Sequence, residues 1–267
     1  EILRNFDNEM WASPAAAVSR KVAHGLYKRV YAAKGLHTAR GVIAVCRVAW
    51  GWGCNEGPLE VNPFMQLNME TPKGRLRVAS VAEIRHFVAT CDAQGRPELG
   101  DMILLGVFSA QRQKDRLKAS FADLQERFEI QQSKTGKKIK AALPAFVLAR
   151  FQQARQRRLS HKHKWPQLVI DEKAMRPWKA DHYRHIFAEL RDVAAATMPS
   201  LAGFTDLDLR DTALTWARQG GADFETRRAL SGHSADAAAM EEKSYTGLAG
   251  SVGDAAVNAI VAKWEKG

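Results

Sequence analysis

The sequence has no run of about eighteen apolar residues, so no helix is expected to cross a membrane. Cysteine is scarce. Only Cys46, Cys54 and Cys91 occur, none in a CxxC pair, which excludes a disulfide framework and fits a reducing cytoplasm. No signal-peptide pattern, internal repeat or low-complexity tract is present. The chain opens on Glu1 rather than Met, as a fragment of a longer protein would. His161 and His163 have no nearby carboxylate or cysteine, so a solvated basic loop is expected there; no metal and no cofactor is expected anywhere in the chain. Acidic residues are also short. There are 29 Asp and Glu against 40 Lys and Arg, a net charge of +11.

That excess is uneven. Residues 101–164 hold 15 Lys and Arg against 5 Asp and Glu, a surplus of ten. Such a surface calls for a polyanionic partner, nucleic acid first and membrane surface second. Hydrophobic residues make up 46% of the 267, enough for one large domain or two smaller ones.

The first part reads as helices. Residues 17–33 carry Val18, Val22, Leu26 and Val30 near helical spacing. Thr38 caps a second helix with Val42, Val45, Cys46 and Ala49 on one face, and Gly51 and Gly53 end it. Asn62-Pro63 and Thr71-Pro72-Lys73-Gly74 read as linker. Ser80-Val81-Ala82-Glu83 is a capping box that starts a new helix. The apolar run 102–108 is a buried helix or strand, and its poverty in β-branched residues favours helix. Phe128, Ile130 and Gln132 then alternate with polar residues, Thr135-Gly136 turns, and Ile139, Ala141 and Leu143 alternate again. This predicts a β-hairpin with a basic tip. Further helices are expected at about 144–158, 181–196, 209–219, 223–230 and 254–266, with Gly220 and Gly232 as stops.

Five segments stand out in order. Phe108-Ser109-Ala110-Gln111-Arg112-Gln113-Lys114-Asp115 ends a helix at an arginine followed by an acid. Gln132-Ser133-Lys134-Thr135-Gly136-Lys137 forms the hairpin tip. Leu207-Asp208-Leu209-Arg210-Asp211-Thr212-Ala213 and Leu230-Ser231-Gly232-His233-Ser234 follow, and Tyr245 comes twelve residues after His233. Singly each would be common by chance. Together they resemble the catalytic domain of tyrosine site-specific recombinases of the phage-integrase family, over about residues 80–266.

The resemblance implies a mainly α fold with a small antiparallel β-sheet (α+β). A helical core-binding domain, truncated at its N-terminus, would span residues 1–72, a basic linker 73–79 and the catalytic domain 80–267. It implies Arg112, Lys134, Arg210, His233 and Tyr245 as catalytic residues, with Asp115 supporting them. Lys73, Arg75, Arg77, Lys137 and Lys138 would contact DNA; Lys137 and Lys138 are also near competitors for the role of Lys134. The expected partner is double-stranded DNA, bound by a homotetramer on paired sites, with no membrane and a cytoplasmic, nucleoid-associated location. The residue types suit the chemistry. A phenol attacks the phosphodiester, planar arginines clamp its oxygens, and a lysine protonates the leaving oxygen, with neither metal nor ATP. The last helix, with Val257, Ile260, Val261 and Trp264 apolar, would dock on a neighbouring protomer or pack on its own core.

One position departs from the family pattern. Leu207 stands where the family has histidine, three residues before the second arginine. Leucine moves no proton. Asp206 and Asp208 are the neighbouring carboxylates, out of register by one. A catalytically weakened or silent DNA-binding relative is therefore the alternative, and a basic helical regulator of other ancestry a third reading.

Overall fold

The computed structural model describes residues 2–72, 77–232 and 250–266. The chain divides into two compact units, residues 1–75 and 76–267.

The first unit holds α1 (Ile2–Phe6), α2 (Asn8–Ala12), α3 (Arg20–Lys34) and α4 (Leu36–Glu56). The Ser19 hydroxyl accepts from Val22 N and caps α3. Gly35, at φ +81°, makes the turn into α4, a conformation that strains any other residue. Leu26, Tyr27, Val30, Ile43, Cys46 and Phe64 form the centre of its core. Burial pushes the Cys46 thiol up to about 11, so it packs as a neutral apolar group.

Three expectations for α4 are corrected. Its N-cap is Gly35, and Thr38 lies inside the first turn. Gly51 and Gly53 do not end it. The chain returning after the helix packs Leu59 directly on Gly53, where a Cβ would lie 2.6 Å from Leu59 Cδ1. Gly53 thus serves close approach. The buried stripe is Ala39, Ile43, Cys46 and Gly53, while Val45 is 69% exposed and Ala49 also faces out. The helix is apolar on two sides, so spacing alone could not say which side is inside. Val22 likewise lies at the surface, while Ala23 and Tyr27 join the buried side of α3.

The second unit begins with α5 (Val81–Ala93), held by the expected Ser80–Glu83 capping box. α6 (Pro97–Ser109) is its central rod, buried from Glu98 to Ser109. α7 (Gln113–Arg116) follows, then β1 (Phe128–Gln131) and β2 (Lys138–Ala141), antiparallel with Ile130 opposite Ile139. α8 (Ala145–Arg157), α9 (Ala180–Thr197), α10 (Asp206–Gln219), α11 (Phe224–Ser231) and α12 (Gly250–Lys266) complete it. α10 starts three residues before the expected Leu209 because Thr205 and Asp208 form a capping box. Gly106 lets Leu209 and Arg116 approach α6; a Cβ there would lie 2.9 Å from Leu209 Cδ1.

α12 packs on its own core rather than leaving its apolar face open. Ala256, Val257 and Ile260 are buried, and Trp264 stacks on Phe146 at 5.7 Å. Gly220 closes α10 at an ordinary φ of −79°, and its lack of a Cβ admits the Ala259 carbonyl of α12. On α6, Asp101 lies under the guanidinium groups of Arg150 and Arg157. Burial lifts its carboxyl to about 6, and the two arginines oppose that rise. Among the described residues, no helix is long and apolar enough to cross a membrane.

Candidate active site

α6 ends in a tight reversal. Ala110 closes it in the left-handed region, φ +52°, uncommon for a residue with a side chain. The turn delivers Arg112 to the N-cap position of α7. Arg210, one turn into α10, donates to Ala110 O at 2.9 Å and to Ser231 O at 2.7 Å. The first-arginine turn, the second arginine and the end of α11 therefore meet. Burial first, and Arg112 next, push Arg210 down to about 10, while Asp211 and Asp115 oppose the fall. It remains charged at neutral pH. Among the described residues, no carboxylate is ion-paired with Arg112 or Arg210; their hydrogen-bond partners are neutral carbonyl and amide oxygens.

The hairpin tip reaches the same cluster. Gly136, at φ +69°, turns it, and Gly136 N donates to Gln132 O at 2.8 Å. Asp115, buried on α7, accepts from Ser133 N at 2.9 Å and from the Ser133 hydroxyl. Its supporting role is to hold the hairpin backbone. The Gln132 side chain accepts from Arg112 Nη1 at 3.3 Å, and Thr135 Oγ1 donates to it at 2.8 Å. Lys134, Lys137 and Lys138 are all exposed on this tip. Gly232 caps α11 at φ +65°. His233 and Tyr245, like Lys73 and Arg75, lie outside the described residues. Arg77 turns inward, donating to Glu83 and to Ser200 O at 2.8 Å, with its guanidinium 5.4 Å from the Phe204 ring centroid. Its charge is thus spent on anchoring the start of the second unit.

Leu207 is 76% exposed at the start of α10. Both neighbouring carboxylates are engaged in hydrogen bonds. Asp206 accepts two bonds from Arg116 Nη2, at 2.7 and 2.6 Å, and one from the Tyr183 hydroxyl at 2.6 Å. Asp208 accepts from Thr205 N and Oγ1 in the capping box.

Sequence reasoning missed two groups. One is the Arg116–Asp206–Tyr183 triad, which ties α7 and α9 to α10. Arg116 looked like any surface cation. The other is the pair Gln111 and Gln132. A signal was present for the second: Gln132 continues the inward alternation of Phe128 and Ile130, and an inward polar side chain requires partners.

No protein-family model and no curated protein matches the sequence. Solved structures do match. A lambda integrase (75–356) dimer bound to a COC′ core site aligns over 91% of this chain and 92% of that one, with a TM-score of 0.69 at 15% identity. The chain has the integrase fold. The Tn1549 transposon integrase, in complex with circular intermediate DNA, gives a TM-score of 0.70 at 15% identity over 89% of this chain and 85% of that one. The XerH site-specific recombinase, in a post-cleavage complex with palindromic difH substrate, gives 0.70 at 15% identity over 88% and 71%. At such identities the likeness is one of integrase fold.

Proposed function

We propose that this chain is a tyrosine-type site-specific DNA recombinase, cleaving and rejoining DNA through a 3′-phosphotyrosine bond. The observation that carries the reading is the meeting of Arg112 and Arg210 without a carboxylate partner among the described residues, beside a hairpin tip bearing Lys134. Two guanidinium groups held at the cost of burial, with no carboxylate ion-paired to either among the described residues, form a receptor for an anion.

In this reading Arg112 and Arg210 clamp the two non-bridging oxygens of the scissile phosphate and stabilise the charge of the transition state. The Tyr245 oxygen bonds to phosphorus as the bond from phosphorus to the 5′ oxygen breaks. Lys134 gives its proton to that leaving oxygen, and His233 hydrogen-bonds the phosphate. The phenol proton leaves to water, since Leu207 cannot take it and Asp206 and Asp208 are engaged. Rejoining reverses the steps and needs no ATP. Elimination favours Tyr245 among the four tyrosines. The Tyr183 hydroxyl is buried on Asp206, Tyr27 accepts from Glu70 N, and Tyr31 donates to Glu70 Oε2.

The first unit would be the core-binding domain and the second the catalytic domain. Lys73, Arg75, Lys137 and Lys138 would contact the DNA backbone. Lambda integrase is known as a tetramer bound to a Holliday junction, and a homotetramer on paired sites is the assembly proposed here. Its place of action would be the cytoplasm, at the nucleoid.

The test pairs a denaturing gel with filter binding, using labelled, nicked genomic fragments from the source organism. Wild type should leave DNA covalently attached, and Tyr245→Phe should bind DNA with the same salt-sensitive affinity but leave none attached. Binding without attachment in wild type would favour the silent DNA-binding relative, for which the exposed Leu207 is the supporting observation.

A further inference from the structure

The Gln132 side chain is fully buried, yet it belongs to no ion pair. Both ends of its amide are used. Oε1 accepts from Arg112 Nη1 at 3.3 Å and from Thr135 Oγ1 at 2.8 Å. Nε2 donates to Gln111 Oε1 at 2.7 Å and to Ser231 O at 2.8 Å. These partners fix which end is which, because a flipped amide would set its NH2 against the Arg112 guanidinium. Ser231 O also accepts from Arg210 Nη2. One amide therefore touches the first arginine directly and the second through a shared carbonyl. It also holds the hairpin turn through the residue after Lys134, and the end of α11 just before His233. Gly232 completes the fit: a Cβ there would lie 2.4 Å from Gln132 Oε1.

We propose that Gln132 is a positioning residue for DNA cleavage, setting the two arginines, the Lys134 turn and the end of α11 in one register. This rests on the recombinase reading above. Gln132 need not touch the phosphate. Its effect runs through the groups it aligns, and misplacement by about 1 Å costs such a reaction on the order of 10²-fold.

Two variants test it. Gln132→Met fills the same space without the hydrogen bonds. Thr135→Val removes one of the four contacts from an exposed residue and leaves the buried amide in place. With the nicked genomic fragments at saturating protein, Gln132→Met should form covalent adduct about 10²-fold more slowly at unchanged DNA affinity. Thr135→Val should fall between it and wild type. Hydrogen exchange provides a readout that needs no DNA. The amides of Gly136 and Gly232 should exchange faster in Gln132→Met, while those of α5 and α9 should not. Equal adduct rates would overturn the proposal and leave the recombinase reading intact. Absence of adduct in wild type would overturn that reading instead. Unchanged exchange at Gly136 and Gly232 would overturn the positioning role whatever the DNA result. General loss of protection in Gln132→Met would mean that the residue supports the fold as a whole, which also overturns it unless Thr135→Val slows the reaction in a protected fold.

Discussion

Arg112 and Arg116 are four residues apart and meet opposite surroundings. Arg116 is fully buried and fully answered. Its Nη2 donates to both oxygens of Asp206, Nη1 to Met102 O and Nε to Gln111 O. Arg112 is half-buried, and among the described residues it and Arg210 hydrogen-bond only to neutral oxygens. Around Arg116, burial pulls the guanidinium down, but Asp206 and Tyr183 hold it above its ordinary range, while burial keeps the Tyr183 phenol protonated well above its own. Around Arg210, burial and a second cation hold the guanidinium below its ordinary range. The first arrangement spends its charge on the fold. The second, in the proposed reading, keeps its charge for a ligand. Basicity of sequence cannot tell the two apart; the partner can.

The sharpest way to break this comparison is Asp206→Ala. It strands a buried guanidinium and a buried phenol together, and breaking such a pair costs about 3–5 kcal/mol. Urea denaturation should show that loss, and a cost under about 1 kcal/mol would mean the triad is not the structural half of the comparison. Arg210→Gln should behave in the opposite way. Stability should change little, because burial of the charge is relieved and no ion pair among the described residues is lost, while single-turnover adduct formation should fall about 10²–10³-fold. Equal losses of stability and rate would erase the distinction.

Leu207→His comes next. An imidazole at this exposed position should speed single-turnover cleavage at unchanged DNA affinity. The gain should be below the roughly 10²-fold of an evolved acid–base group, since no partner orients the ring. An unchanged rate would mean that proton removal by water already suffices. A fourth test concerns Asp101. Its folded carboxyl sits at about 6 against an ordinary 3.8, so the folded state holds the proton more tightly. That contribution to stability is complete below pH 3.8 and is lost as pH rises through 6. Asp101→Asn should lack it. The stability of wild type relative to the variant should therefore decline across that window, and a flat difference would contradict the assignment.

Much of the second unit was legible because its signals are local. The Ser80–Glu83 box, the continuous apolar run of α6 and the alternation through Phe128, Ile130 and Ile139 each specify their element with neighbours in sequence. The buried side of α4 was not legible, since Val45 and Val48 are as apolar as Ile43. Only packing against α3 and Phe64 decides between them. The order of the five boxes pointed to Arg112 and Arg210 together. What holds them there was hidden in contacts between residues 20 to 100 positions apart, such as Gln132 with Arg112 and Arg210 with Ala110. Arg116 went unread for the same reason: its carboxylate lies 90 positions away.

The most direct test of the account is to find the atom that carries the DNA. Adduct formed by wild type would be digested with nuclease and trypsin, and the nucleotide-bearing peptide sequenced by mass spectrometry. The account predicts a 3′-phosphoryl nucleotide on the tryptic peptide 244–263, whose one tyrosine is Tyr245. Linkage to Tyr27, Tyr31 or Tyr183, or to a residue other than tyrosine, would contradict it.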